Sequence, residues 1–359
     1  MKKPDYIVVD GSSYLYRAYH ALPDLVTSSG QATGAIKGVV SMLKVLQRNY
    51  PASNILVIFD ARGKTFRSDI YPEYKQNRPA MPGDLASQIS LLHKVIVAMG
   101  LPLISISGVE ADDVIATLAM DIQADNKCLL IASSDKDLTQ LVNARVHMLN
   151  ATKAEVLDTS AIEAKFGVKP EQIRAYLALL GDSSDNIPGI PKVGAKTAAK
   201  LLNEYATLDN IVAHADVIKG KVGENIRNNL EQLALSYELI KLKTDVELDK
   251  NLADYQPEVS DTTALVDLFT RLEFRPWLKA LEQAPSDTAV PEANNKNKLK
   301  YRQLTSDAQF AQFIAQVKHQ QAVSIEIVTD SDKYMQAKLI GIALAIDENT
   351  AVYLNLVNS

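Results

Sequence analysis

The sequence predicts an α/β protein with a mostly parallel central sheet. Two observations carry the prediction: short β-branched apolar runs alternate with longer segments of helical apolar spacing through the first 150 residues, and each run leads into carboxylates. The strand-like runs fall at residues 6–9, 55–59, 103–107 and 128–132, with helical segments such as 36–46, 85–99 and 114–120 between them. From about 159 to 248 the pattern is helical, broken at 167–170, 186–189 and 220–223. Residues 264–281 continue as helix and contain Phe269, Phe274 and the lone Trp277. Residues 284–300 lack apolar periodicity and are rich in Pro, Asn and Lys, which marks a linker. Beyond it, 310–317 is a helix and 322–328, 339–346 and 351–356 are strands, as at the front of a further domain cut short.

At 359 residues and 47% hydrophobic, the chain has material for about two domains and part of a third. The single Cys128 excludes a disulfide framework and a Cys-based zinc site, and fits a reducing, cytoplasmic setting. The apolar run behind the N-terminal lysines is too short for a signal peptide. No stretch reaches the roughly 18 apolar residues of a membrane span, so no membrane partner is expected. The net charge of −5 counts, at first sight, against nucleic acid.

Position changes that. Asp10 and Asp60 close the first two runs, Glu110, Asp112 and Asp113 follow the third, and Asp135 and Asp137 the fourth. Parallel sheets bind ligands beyond the carboxyl ends of their strands, so these acids converge on one edge. Asp182 and Asp185, three apart in GDSSDN, can share one side of a helical turn. Any one of these acids could be a turn former or helix N-cap. Nine together would repel and raise one another's pKa values unless divalent cations relieve them. All-oxygen ligation points to Mg²⁺ or Mn²⁺, and the set is large enough for two ions, the arrangement used to hydrolyse phosphodiesters. Setting those nine carboxylates aside turns the net charge of −5 into +4.

Residues 62–78 carry Arg62, Lys64, Arg67, Lys75 and Arg78 interleaved with Phe66, Tyr71 and Tyr74. That composition suits single-stranded nucleic acid, although an ordinary solvated loop would share it. Arg17, two turns past Asp10, could clamp a phosphate. A Gly-Ile-Pro-Lys-Val-Gly turn at 189–194 leads into a helix with Lys192, Lys196 and Lys200 at four-residue spacing, suited to a duplex backbone or simply a solvated face.

The motifs VDGSSYLYRAYHAL, FDARGKTFR, YPEYKQNRPAMP, GLPLISISGVEADDVIATLA, SSDKDLTQLV and GDSSDNIPGIPKVGAKTA together resemble the 5′ nuclease (flap endonuclease) family. The form they resemble is the N-terminal half of bacterial DNA polymerases I, followed by the start of a 3′–5′ exonuclease-like domain. The likeness runs over about residues 5–280. It implies a PIN-like 5′ nuclease domain at 1–175 with a helical arch over the site, and a helix–three-turn–helix duplex-binding module at 176–283. A linker at 284–300 and a truncated RNase H-like α/β segment at 301–359 would come after it.

By resemblance Asp10, Asp60, Glu110 and Asp112 ligate a first metal with Asp113 beside them. Asp135, Asp137 and Asp185 serve a second, with Asp182 adjacent. Tyr74, Lys75 and Arg78 match arch residues, and Arg17 and Arg67 match phosphate-contacting positions. Gly189, Ile190, Lys192, Val193, Gly194, Lys196, Thr197 and Lys200 match the duplex-binding hairpin, which in relatives can hold K⁺ through backbone carbonyls. Lys192 stands where the usual turn has a middle Gly. Glu326 and Val328 replace the Asp-x-Glu of proofreading relatives, so no proofreading is expected.

The resulting expectation is a monomeric, two-metal 5′–3′ exonuclease or flap endonuclease. It would act on 5′-flap or nicked duplex DNA and on RNA–DNA primer junctions in replication and repair. A non-catalytic DNA-binding scaffold would show gaps in the acidic set, and none is visible. A small PIN-like RNA nuclease would not need the 189–194 hairpin.

Overall fold

The computed structural model describes residues 3–150, 155–283, 300–304, 306–317, 323–329, 338–345 and 350–356. They fall into two compact units, Met1–Ala284 and Pro285–Ser359.

The first unit is built on six strands: β1 (Tyr6–Asp10), β2 (Asn54–Ile58), β3 (Leu103–Ile104), β4 (Leu129–Ala132), β5 (Val146–Asn150) and β6 (Glu155–Leu157), in the order β3-β2-β1-β4-β5-β6. All neighbours pair in parallel except β5 with β6. Tyr6 is opposite Asn54 on one side and Leu129 on the other, which puts β1 at the centre. All of β1 is buried, as a sheet covered on both faces requires. Ile7 and Val9 join a core with α1 (Gly11–Ala21), α2 (Gly34–Asn49) and, beyond the short α3 (Phe66–Ile70), α4 (Gly83–Ala98). Tyr6 and Val8 join a second core with α5 (Ala111–Ala124) and the helices after it. Gly11 lets α1 start against β2, because a Cβ there would lie 2.5 Å from the Phe59 ring and 2.8 Å from the Ile58 carbonyl.

All four expected strands form, but β3 is two residues rather than five. Only Leu103 and Ile104 find partners on β2, and the polar Ser105 and Ser107 beyond them are left out of the sheet. Strands β5 and β6 have too little alternation in VHMLN and EVL to be legible as sheet edge.

The helical part comprises α6 (Thr159–Phe166), α7 (Ile173–Leu180), α8 (Ala195–Tyr205), α9 (Leu208–Ala213), α10 (Gly220–Asn228) and α11 (Leu230–Leu239). After it come α12 (Thr262–Arg271) and α13 (Arg275–Gln283). Helix α12 returns to the α/β layer: Leu265, Leu268 and Phe269 enter the core of α1, α2 and α4, and the Lys44 ammonium lies 4.4 Å from the Trp277 ring centre. Residues 262–281 therefore pack with the sheet domain, whereas the resemblance groups them with the duplex-binding hairpin.

The second unit is a four-stranded mixed sheet, β7 (Lys300–Leu304), β8 (Ser324–Thr329), β9 (Leu339–Ala345) and β10 (Thr350–Asn355), in the order β7-β10-β9-β8, with α14 (Asp307–Val317). Leu304, Phe313 and Val352 form its core. The expected helix and three strands are present, preceded by β7, whose first residue falls at the end of the expected linker. The rest of that linker, 284–299, lies outside the described residues. Among the described residues no helix is long and apolar enough to cross a membrane.

Candidate metal centre

The C-terminal ends of β1, β2 and β4 and the N-terminus of α5 meet at one edge, beside the point where strand order reverses about β1. A cleft of about 430 Å³ there is lined by Asp10, Asp60, Glu110, Asp112 and Asp135, together with Lys75, Arg78 and Lys136. Helix geometry aims these acids. Asp10 N-caps α1, its Oδ1 accepting from the Ser13 N–H at 2.9 Å while Oδ2 accepts from the Ser133 hydroxyl at 2.7 Å. Glu110 N-caps α5, and Asp60 Oδ1 accepts from the Ala111 N–H at 2.8 Å. The capping and ligand readings of these acids are thus compatible: the cap holds the carboxylate at the cleft.

A second group, Asp137, Asp182 and Asp185, brings one carboxylate oxygen from each residue within 4.8 Å of the others. Asp182 and Asp185 share a turn between α7 and α8 rather than a helical face, closed by an Asp182–Ile187 bridge. Lys75 joins the two groups, its Nζ 2.5 Å from Glu110 Oε1 and 3.6 Å from Asp185 Oδ2.

The electrostatics reflect the crowding. Burial, reinforced by Asp60 and Asp135, pushes the Asp10 carboxyl up to about 7, against the lowering effect of its hydrogen bonds from Ser13 and Ser133. Burial and Asp135 likewise push Asp137 up to about 7. Burial with Asp135, Asp10, Asp60 and Glu110 raises Asp112 well above the usual carboxylate range. Asp137 Oδ1 is buried with no hydrogen-bond partner. An all-oxygen donor set that holds raised carboxyls and an orphaned oxygen is chemically suited to hard divalent cations.

The sign of the pH dependence is set by those shifts. Protonated Asp10 and Asp137 contribute stability that is complete below their unfolded values near 3.8 and lost as pH rises through about 7. A divalent ion bound by these carboxylates would displace those protons. Mg²⁺ should therefore raise the unfolding temperature, relative to chelator, more at about pH 8 than at about pH 6. A thermal melt at both pH values checks this.

Eight of the nine expected acids converge; Asp113 does not. It is fully buried behind the cleft, with Oδ1 and Oδ2 each 2.7 Å from the Arg67 guanidinium, and it also accepts from the Lys243 and Glu110 N–H groups. Its oxygens are committed, so it is not placed as a ligand. Arg67, expected at a phosphate, is 2% exposed and donates besides to the Leu239 and Lys241 carbonyls. Arg17 does not line the cleft, and its Nη1 is buried without a partner.

The expected arch is only the five-residue α3, with turns after it through residue 78. Pro72, Pro79 and Pro82 interrupt any longer helix. The segment folds onto the acids instead. The buried Tyr74 hydroxyl donates to Glu110 at 3.0 Å, the Lys75 N–H donates to the Asp185 carbonyl at 2.9 Å, and Arg78 pairs with Asp185. Burial would lower Lys75, but Glu110 and Asp185 hold its ammonium above the usual value. Ser12, Ser13, Tyr16, Ser134 and Lys136 also line the cleft. Motif reading passes over them, although Lys136 sits in plain view inside SSDKD.

At the hairpin, Lys192, Lys196 and Lys200 are exposed, whereas the Ile190 and Val193 side chains are core. These two can serve a duplex only through their backbone. Gly189 is obligatory, since a Cβ there would lie 2.0 Å from the Leu180 carbonyl oxygen. Lys192 itself adopts φ +63°, so the turn keeps its left-handed residue without glycine. Lys192→Gly should stabilise the chain by about 1 kcal/mol, measurable by urea unfolding, while removing one exposed cation of the hairpin.

The fold and the acid-lined edge define a class of α/β nucleases, and comparison with known proteins narrows it. The family described as 5′-3′ exonuclease, N-terminal resolvase-like domain, matches residues 5–167, and 5′-3′ exonuclease, C-terminal SAM fold, matches 168–263. The chain belongs to the 5′-3′ exonuclease family. It is 42% identical to a 5′-3′ exonuclease of Buchnera aphidicola subsp. Baizongia pistaciae, over 79% of this chain and 96% of that protein. It is 40% identical to the DNA polymerase I of Pseudomonas aeruginosa over all of this chain, and spans 40% of that protein's length. The fold is shared with the T5 D15 protein crystallised with metal ions (TM-score 0.57, 23% identity, 77% of this chain and 98% of that one). It is also shared with the Rad2 catalytic core in complex with DNA (TM-score 0.53, 15% identity, 78% and 91%).

Proposed function

We propose that the chain hydrolyses phosphodiester bonds at 5′ ends and 5′ flaps of DNA, and of RNA primers, as the 5′ nuclease portion of a DNA polymerase I. The observation that carries this reading is the convergence of eight carboxylates in two adjacent groups beside a basic hairpin. Asp10, Asp60, Glu110 and Asp112 would hold one Mg²⁺ or Mn²⁺ together with Asp135, which lines their cleft although the resemblance puts it on the second side. Asp137 and Asp185 would hold a second with Asp182, which the resemblance sets only adjacent. Bound there, such ions would lower the pKa of an attacking water and stabilise the leaving oxygen.

The chain's own residues do the rest. Lys75 and Arg78, now paired with carboxylates, would turn to a scissile phosphate and neutralise its developing charge. The Tyr74 hydroxyl holds Glu110 in place. Lys192, Lys196 and Lys200, with the backbone N–H groups at the start of α8, would grip the duplex as a monomeric enzyme does.

K⁺ at the hairpin would be held through backbone carbonyls, each of which has two lone pairs. The Pro188, Gly189 and Pro191 carbonyls already accept from Ser236, Gln232 and Asn225, and Ile190 accepts from Val193. One accepted hydrogen bond per carbonyl fixes the turn and leaves a lone pair on each for the ion.

Cleavage of a 5′-flap duplex compared with free single-stranded RNA, each with Mg²⁺ and with chelator, tests the reading. Mg²⁺-dependent cutting of the flap substrate is expected. Preference for the free RNA would favour the small RNA-nuclease alternative and contradict it.

A further inference from the structure

Lys136 lies between two acids in sequence and between two in space. Its Nζ pairs with Asp182 and lies 3.9 Å from Asp137 Oδ1, the buried oxygen that has no hydrogen-bond donor. The oxygens of Asp182 and Asp185 are engaged. Asp182 Oδ1 accepts from the Ser184 N–H and hydroxyl at 2.8 and 2.6 Å, and Asp185 faces Arg78, Lys75 and Tyr74. A divalent ion shared by Asp137 and Asp182 would have to occupy the space the ammonium now fills. At 40% exposure, the Lys136 side chain has room to leave.

We propose that Lys136 is the resident counter-ion of the Asp137–Asp182–Asp185 group, and that it sets the affinity of this group for a second divalent ion, which enters by displacing the ammonium. The inference rests on the metal-centre reading above and deepens it. The two groups then differ in kind. In the first, Lys75 and Arg67 both pair with a single carboxylate, Glu110; among the described residues, Asp10, Asp60, Asp112 and Asp135 have no lysine or arginine within ion-pairing distance. In the second, Lys136 and Arg78 already neutralise Asp182 and Asp185. The first group therefore fills at lower metal concentration. Substrate favours the second ion, because its phosphates offer the displaced ammonium a new acceptor. An ammonium gives way where a bidentate guanidinium would hold: it is a point charge on a flexible stem.

Mn²⁺ binding to the full chain without DNA, monitored by the electron paramagnetic resonance of free Mn²⁺, tests this. The native chain should show a tighter and a weaker site. Lys136→Met should tighten the weaker site by about tenfold or more and leave the tighter one unchanged. Lys136→Arg should keep the weak site weak. Lys136→Gln carries the same expectation as Lys136→Met and replaces it if that variant does not fold. Unchanged or weakened second-site binding in the neutral variants would overturn the proposal while two-site binding still stood. Absence of any Mn²⁺ binding by the native chain would overturn the metal-centre reading with it.

Discussion

Asp113→Ala is expected to destabilise the chain by about 3–5 kcal/mol, a large share of the stability of an ordinary domain. The Asp113 carboxylate and the Arg67 guanidinium are both buried and paired by two 2.7 Å hydrogen bonds. Removing the acid leaves an uncompensated guanidinium in the core. The same carboxylate holds the Lys243 N–H, and Arg67 holds the Leu239 and Lys241 carbonyls, so the pair ties α3 and α5 to the chain leaving α11. The loss would reach the cleft as well. Arg67 Nη1 is already 3.2 Å from Glu110 Oε2, and without Asp113 that carboxylate is its nearest partner. Urea unfolding should therefore show a lower midpoint, and metal affinity should fall with it. Replacing both members by apolar residues (Arg67→Met with Asp113→Leu) should recover a good part of the lost stability. If Asp113→Ala unfolds like the native chain, the pair is not a structural tie.

Much of this is legible in the sequence because parallel β-strands announce themselves by composition and their C-terminal ends by the acids just beyond them. Asp10, Asp60, Glu110, Asp112, Asp135 and Asp137 all lie where strand ends and helix starts put them. What spacing cannot show is direction. Asp112 and Asp113 are consecutive, yet about 100° of helix rotation separates them; one faces the cleft and the other the core. Arg67 has the sequence context of a phosphate contact and the burial of a core residue, and only its long-range partners at 239–243 decide between them. The 66–82 segment has the charges of an arch, but three prolines and the pull of Glu110 and Asp185 shape it otherwise. Strands β5 and β6 are defined by tertiary pairing rather than local pattern.

Asp112→Asn is the substitution with the largest expected effect on chemistry. Asp112 lines the cleft at the first turn of α5, with Asp10, Asp60, Glu110 and Asp135. Its carboxyl feels Asp135, Asp10, Asp60 and Glu110 together, and it is raised well above the usual range by burial and that repulsion. An amide keeps the shape but supplies no negative charge to a cation, and the ionised form is the ligand. Metal-assisted hydrolysis is worth several kcal/mol, so a loss of at least about 10³-fold in cleavage is expected. The hairpin lysines lie on a different element and are untouched, so duplex affinity should persist. The fold should tolerate the change and gain slightly in stability, because one of several mutually repelling carboxylates is removed.

The most direct test of the metal centre is single-turnover cleavage of a 5′-flap duplex in Mg²⁺ by the native chain and by Asp112→Asn, with flap binding measured in parallel. Metal-dependent cleavage is expected of the native chain, and in the variant its loss with binding largely intact. Undiminished turnover by Asp112→Asn would show that the acid-lined cleft is not the metal centre.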